Sequence, residues 1–311
     1  MPQKGNNHNL RISKKFQPLT QFGHKTQQII MPIVVIADDE MLPLGTGFMI
    51  NPDGLMMTAK HVIQDVAEKN LKSRKTGNKY KQLSLFAFYI TDQKHPNKEE
   101  YLGGLWPIQS AWYSDELDIA YCWLRQAKIN DEPIKFPVLR LSPGIPKIGE
   151  KILGFGYYKG LANITDEIID AKIAVDYEHK TAFTQGEIVD VHPIRRDRGM
   201  YSFPCFQTNA RFEGGMSGGP IFNEQGYVCG VICGSDGRRP YSSYCSLLWP
   251  ALGTSIEVAL TPGALVSMHL VYDLAKKGLI ITDDSINQVQ VILREDNSRI
   301  VILKESPVFN Q

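Results

Sequence analysis

From Ile29 onward the sequence is divided into short apolar runs, each closed by turn-forming residues, and this punctuation restricts the chain to few folds. Ile33-Val34-Val35-Ile36 is followed by Gly47-Phe48-Met49-Ile50, the turn Asn51-Pro52-Asp53-Gly54, and Leu55-Met56-Met57-Thr58. Further runs lie at Leu83 to Ile90, Ile119 to Leu124, Lys151 to Phe155, Ala171 to Val175, Gly186 to Val191 and Tyr227 to Cys233. Runs this short, with turns between them, predict antiparallel strands in a sandwich or barrels and not alternating strand and helix units. Arg125 to Ile148, with Pro133, Pro137, Pro143 and Pro146, reads as a connector between two β lobes, which would leave a cleft between them.

The flanks read differently. Residues 1 to 28 hold Lys4, Arg11, Lys14, Lys15 and Lys25, no acid and few large apolar side chains, so a solvated tail is expected there. Toward the C-terminus, Thr261-Pro262 supplies a cap and a first-turn proline. Leu265, Met268, Leu270, Val271 and Leu274 supply an apolar stripe and Gly278 a stop, so one amphipathic helix is expected. The helix has to bury its stripe, and packing behind the second lobe is the expected solution. Gln288 to Lys304 alternates about Glu295-Asp296-Asn297-Ser298 and predicts a β-hairpin.

At 311 residues, 43% of them hydrophobic, the chain can bury a sizeable core. A net charge of +1 gives no global field toward nucleic acid or membrane, so no nucleic-acid partner is expected. The cluster Arg195-Arg196-Asp197-Arg198 reads as a solvated loop. No apolar run approaches the roughly 20 residues of a membrane span, and the start lacks a signal core. Cys122, Cys205, Cys229, Cys233 and Cys245 are scattered and odd in number, which suits a reducing compartment. A cytoplasmic location is therefore expected, unless a leader was removed. No CxxC or clustered His/Cys spacing predicts a metal site, and no cofactor is expected.

Three polar residues stand where catalysis could use them. Ser217 is centred in Glu213-Gly214-Gly215-Met216-Ser217-Gly218-Gly219-Pro220, a turn whose glycines permit sharp bends and close approach of backbone N–H groups to a substrate. His61 follows a strand in Thr58-Ala59-Lys60-His61-Val62, and Asp118 precedes one in Glu116-Leu117-Asp118-Ile119-Ala120. Taken singly, each has an ordinary structural explanation as a turn serine, a structural histidine or a strand-start cap.

Together, Thr58-Ala59-Lys60-His61-Val62, Asp118-Ile119-Ala120 and Gly215-Met216-Ser217-Gly218-Gly219-Pro220 resemble the trypsin-like (chymotrypsin-fold) serine peptidases in order and approximate spacing. The closest texture is that of the bacterial high-temperature-requirement proteases, although the residues after the peptidase region are too few for an ordinary PDZ domain. The resemblance implies an all-β fold of two six-stranded antiparallel barrels with the active site in the cleft between them, followed by the helix and hairpin. It divides the chain into a tail at 1–28, a peptidase domain at 29–254 and an extension at 255–311. Within the domain the first barrel spans about 29–125, the connector about 126–148 and the second barrel about 149–254.

The same resemblance implies that Ser217 is the nucleophile, His61 its base and Asp118 the group that orients the imidazole, with the N–H groups of Gly215 and Ser217 as the oxyanion hole. Secreted digestive members carry Cys and Asp where this chain has Val62 and Met216, so activation by a freed N-terminal ammonium is not expected. Arg211 falls where trypsin places the acid of its specificity pocket. It either recognises an acidic side chain or pairs locally with Glu213, while Ile232, Cys233 and Ser235 suggest a medium apolar pocket. The implied function is hydrolysis of protein or peptide substrates. A silent two-barrel binding protein and an esterase using the same residues are the rival readings. The sequence leaves the oligomeric state open.

Overall fold

The computed structural model describes residues 16–19, 24–37, 40–76, 83–94, 101–125, 128–129, 132–169, 172–236, 242–259, 265–295 and 299–304. The first element, Phe16–Leu19 (β1), pairs antiparallel with Thr181–Thr184 on the outside of the second barrel. Part of the segment expected as a tail is thus a strand, and a short helix follows at His24–Ile29. Residues 1–15 of that segment lie outside the described residues.

The first barrel is built from Ile30–Ala37 (β2), Glu40–Asn51 (β3), Leu55–Thr58 (β4), Ser84–Lys94 (β5), Tyr101–Tyr113 (β6) and Ala120–Leu124 (β7). It closes in the order β2-β3-β4-β7-β6-β5. β-Branched and other large apolar residues crowd β2 and β4, where they fill a pleated surface well. The turn between β3 and β4 forms because Asn51 Oδ1 accepts the Asp53 N–H at 2.7 Å and Gly54 takes a φ of 114°. β6 is absent from the sequence-level expectation because Gly103, Gly104 and Pro107 read as breakers. It is nevertheless held between β5 and β7.

A small hairpin in the connector, Lys128–Ile129 (β8) with Glu132–Pro133 (β9), leads to the second barrel. Its strands are Lys151–Ile169 (β10), Lys172–His192 (β11), Cys205–Thr208 (β12), Pro220–Phe222 (β13), Val228–Ser235 (β14) and Ser243–Leu247 (β15). The ring runs β10-β11-β12-β15-β14-β13 and returns to β10, all antiparallel. Two runs expected as separate strands, Ala171 to Val175 and Gly186 to Val191, fall on the single strand β11 from Lys172 onward, Ala171 itself lying outside the described residues. The polar stretch between them keeps its ladder with β10, so cross-strand pairing overrides the turn-like composition.

Phe48, Met56 and Tyr121 of the first barrel and Phe155, Phe206 and Val231 of the second are fully buried members of one hydrophobic cluster. At about 1.5–3 kcal/mol for each large apolar side chain buried, this shared core fixes the seam between the barrels. All five cysteines are buried and unbridged.

Beyond Gly253 lie Ser255–Val258 (β16), Ser267–Leu270 (β17), a helix at Val271–Lys276, and the hairpin Val289–Leu293 (β18) with Arg299–Leu303 (β19). The expected helical stripe is corrected here. Ser267–Leu270 is strand paired with β16, Leu265 and Met268 are 91% and 59% exposed, and only Val271 onward is helical. A ready partner strand with Ile256 and Val258 buried outweighs the weak helix preference of Ser267 and His269. The stop at Gly278 is as expected, with φ of 74°. Thr261-Pro262 lies outside the described residues.

The extension packs against more than the second barrel. Leu141 in the connector bridges Thr282 on one side and Val228 on the other, and Asn51 of the first barrel donates to Leu279 O at 2.6 Å.

Candidate active site

Three elements meet at the seam. The β4–β7 ladder runs from Leu55↔Trp123 to Thr58↔Ala120, so continuing its register two residues further brings the start of the next helix opposite Asp118. That helix, Lys60–Thr76, was not anticipated from the sequence. It buries Val62, Ile63 and Val66 on one face and carries His61 in its first turn.

Asp118 is buried and serves two donors. Its Oδ1 accepts the His61 backbone N–H at 3.1 Å, satisfying one of the orphan donors at the helix start. Its carboxylate also meets His61 Nδ1 at 3.0 and 2.9 Å. With one carboxylate gripping both backbone and ring, the imidazole cannot turn independently of the helix. The Asp118 side chain is 8% exposed, whereas that of His61 is 45% exposed, so the far edge of the ring faces the cleft.

The Ser217 turn is wedged between the barrels, and glycine is required where it touches them. A Cβ on Gly218 would lie 2.1 Å from Thr46 O and 2.2 Å from Thr58 Oγ1, and its φ is 84°. A Cβ on Gly219 would lie 2.1 Å from Phe155 O. Gly156 of β10 gives the matching clearance from the other side, where a Cβ would lie 2.8 Å from Met216.

Three N–H groups of the turn find backbone acceptors. Met216 N donates to Glu213 O at 3.1 Å, Gly219 N to Met216 O at 2.9 Å and Gly218 N to Ile232 O at 2.8 Å. Among the described residues no acceptor takes the N–H of Gly215 or Ser217. The turn Glu213 to Met216 has its positive φ, 97°, at Gly215, the third position, as a type II turn requires.

Thr46 and Ser246, which the sequence did not single out, and Cys233, expected only as a pocket residue, support the Ser217 turn. Buried Thr46 receives the Tyr157 N–H at 3.0 Å on its Oγ1, which donates to Gly215 O at 2.9 Å, while its N–H donates to Ser217 O at 2.8 Å. Its Gly45-Thr46-Gly47 setting was the available signal, two small residues flanking a hydroxyl in an apolar run. Ser217 Oγ donates to Cys233 O at 3.1 Å. The Cys233 Sγ lies 3.1 Å from Ser246 Oγ, which donates to Asp118 O at 3.4 Å. Burial foremost, and then the Asp118 charge, hold the Cys233 thiol well above its ordinary pKa, so it stays protonated.

The remaining candidates are dispersed. Arg211 forms an ion pair with Glu213. Ile232 is fully buried in the main core, and Cys233 is buried in a second cluster with Tyr201, Phe203, Cys205 and Tyr244. Ser235 ends β14 in a half-buried position. A cavity of about 790 Å³ opens elsewhere, lined by Lys147, Glu150, Glu224, Asp283 and others, and holds none of the residues above.

Two antiparallel barrels sharing a core, with an imidazole–carboxylate pair from one and a glycine-framed serine from the other, define a hydrolase-type architecture. The sequence pattern of the trypsin-like peptidase domain matches residues 45–231, and the chain belongs to that family. No curated protein matches the sequence. Among solved structures the chain is similar to Deg5, with 13% identity, a TM-score of 0.46, and 77% of this chain and 88% of that one covered. It is also similar to the MamO protease domain from Magnetospirillum magneticum, with 13% identity, a TM-score of 0.44 and coverages of 72% and 94%. For Rv3671c from M. tuberculosis H37Rv, in an inactive form, the identity is 18%, the TM-score 0.40 and the coverages 71% and 83%. Among the described residues no helix is long and apolar enough to cross a membrane.

Proposed function

We propose that the protein is a serine endopeptidase in which Ser217, His61 and Asp118 act as nucleophile, base and orienting carboxylate. The observation that carries this reading is the double grip of Asp118 on His61 at the seam where the Ser217 turn is wedged. In the proposed reaction Ser217 Oγ attacks the carbonyl carbon of a peptide bond while its proton passes to His61 Nε2. Asp118 holds Nδ1 as the donor and stabilises the imidazolium. The unused N–H groups of Gly215 and Ser217 would receive the oxyanion. Return of the proton to the leaving amine gives an acyl-enzyme, and water repeats the sequence.

Ser217 Oγ must leave the Cys233 carbonyl for this to proceed. A substrate N–H competing for that carbonyl would release the hydroxyl toward His61, linking occupancy of the cleft to alignment of the nucleophile. The Arg211–Glu213 pair supports an uncharged residue immediately before the scissile bond. Burial of Met216 against Gly156 supports competence without cleavage near Ile29.

A fluorophosphonate probe tests the reading. Labelling of the wild-type chain that disappears in Ser217→Ala is expected. A folded wild-type protein that does not label would remove both the peptidase and the esterase readings, leaving a silent binding protein. Mapping newly formed termini in a treated proteome then separates peptide from ester substrates.

A further inference from the structure

The loop between β11 and β12 is tightly built around one arginine. The N–H groups of Arg196 and Asp197 both donate to Tyr201 O, at 3.1 and 3.2 Å. Asp197 Oδ1 accepts from Gly199 N at 2.8 Å and Tyr201 N at 3.2 Å, and these backbone donors hold its carboxyl below the ordinary aspartate range. The Arg196 guanidinium lies 4.4 Å from the Tyr244 ring centre and 5.6 Å from that of Tyr201. The two buried rings are 4.0 Å apart. A guanidinium supported on its face presents its N–H groups at the edge, where carboxylates bind. One edge contact goes to Asp197 Oδ2 at 3.3 Å, on a carboxylate whose other oxygen is held by backbone, and the Arg196 side chain remains 40% exposed. Arg195 and Arg198 are exposed and make no ion pair among the described residues.

This platform adjoins the strand that edges the cleft. A Cβ on Gly234 would lie 3.4 Å from the Tyr201 hydroxyl. The β13 ladder ends at Pro220↔Val231, so β13 does not cover β14 past Ile232, and it is there that Cys233 O meets Ser217. Every pairing in this barrel is antiparallel. An extended peptide joining β14 in the same sense has its C-terminal end at Cys233 and Ser217 and its N-terminal end at Ser235. Residues upstream of the scissile bond therefore run past Gly234 toward the Tyr201–Tyr244–Arg196 stack. At about 3.3 Å per residue, those two to four positions before the bond come alongside it.

We infer that Arg196, backed by Tyr201 and Tyr244 and flanked by Arg195 and Arg198, is a subsite for an acidic side chain two to four residues before the scissile bond of a peptide substrate. The inference rests on the peptidase reading and adds a substrate preference to it.

The test uses the full chain and a set of decapeptides in which Asp or Glu is moved through each position, each paired with its Asn or Gln counterpart. With wild-type protein, an acid two to four residues upstream is expected to raise kcat/KM about fivefold over the amide, the scale of a partly exposed ion pair. The advantage shrinks with added salt and collapses in Arg196→Gln. Arg198→Gln, at an exposed position with no packing role, is expected to reduce it in part and guards against misfolding of the first variant. Equal rates for acid and amide, or a preference that survives both substitutions, overturns the subsite while leaving the peptidase reading intact. If the chain neither labels with fluorophosphonate nor cleaves, the peptidase reading fails. Fluorescence anisotropy of the same peptides on Ser217→Ala then decides the subsite alone: tighter binding of the acidic peptides that is lost in Arg196→Gln supports it, and equal binding overturns it.

Discussion

Thr46 shows how far the Ser217 turn depends on a buried residue of the other barrel. Its hydroxyl links Tyr157 N to Gly215 O, and its backbone holds Ser217 O, so it sets the plane of the peptides on either side of the proposed oxyanion donors. Thr46→Val keeps the volume but strands the buried Tyr157 N–H, a penalty of about 1–3 kcal/mol. The expected result is a fall in kcat of about tenfold to a hundredfold with KM nearly unchanged, since a misdirected oxyanion donor weakens the transition state alone. Thr46→Ser is expected to restore most of it. Kinetics that match wild type in a protein merely less stable would make Thr46 a packing residue only. At this scale the sequence was legible where chemistry and backbone coincide. His61, Asp118 and Ser217 could be singled out, but not the support behind them, because Thr46 and Ser246, and Cys233 read only as a pocket residue, acquire their partners through contacts 111, 128 and 16 positions apart in the chain.

Among the elements, the β10–β11 pair carries a built-in sensitivity to acid. His179 on β11 stacks edge-on against Tyr157 of β10, ring centres 4.9 Å apart, and burial lowers its pKa from 6.5 to about 4. An unfolded histidine takes a proton near pH 6.5 while the folded one resists until about pH 4. Stability is therefore full above the unfolded value and drains away as pH falls through that window, by up to about 3 kcal/mol. Urea midpoints at pH 7.5 and 4.5 for wild type and His179→Phe measure it. The variant is expected to lose distinctly less stability on acidification, and parallel losses would show that His179 is not the group responsible. Element boundaries near this pair were the hardest to read. The polar middle of β11 resembles a turn until its ladder with β10 is seen, and β6 hides behind Gly103, Gly104 and Pro107. The helix bearing His61 was hidden because β4 ends only two residues before it begins. The closing hairpin was legible because its alternation is local and needs no distant partner.

For the molecule as a whole, the extension is a third part of one folded unit. Ile256, Val271, Leu274, Ile280, Val289 and Leu303 are each at most 7% exposed and belong to the same cluster as the barrel interiors. Leu274 and Leu279 line one small cavity with Asn51, Leu55 and Trp123 of the first barrel, and Leu141 ties the connector to both the extension and the second barrel. At about 1.5–3 kcal/mol for each such side chain, removing these six withdraws on the order of 10 kcal/mol, as much as the net stability of a typical domain. A chain ended after Thr254 is therefore expected not to fold, although every proposed catalytic residue remains in it. Leu274→Ala in the full chain is the milder probe, with an expected loss of about 2–5 kcal/mol in denaturant unfolding. Leu293→Lys, at a position 63% exposed, is expected to lie within about 0.5 kcal/mol of wild type. A truncated chain that melts cooperatively near the wild-type temperature and labels with fluorophosphonate would show that the two barrels are self-sufficient and that the extension is an accessory resting on them.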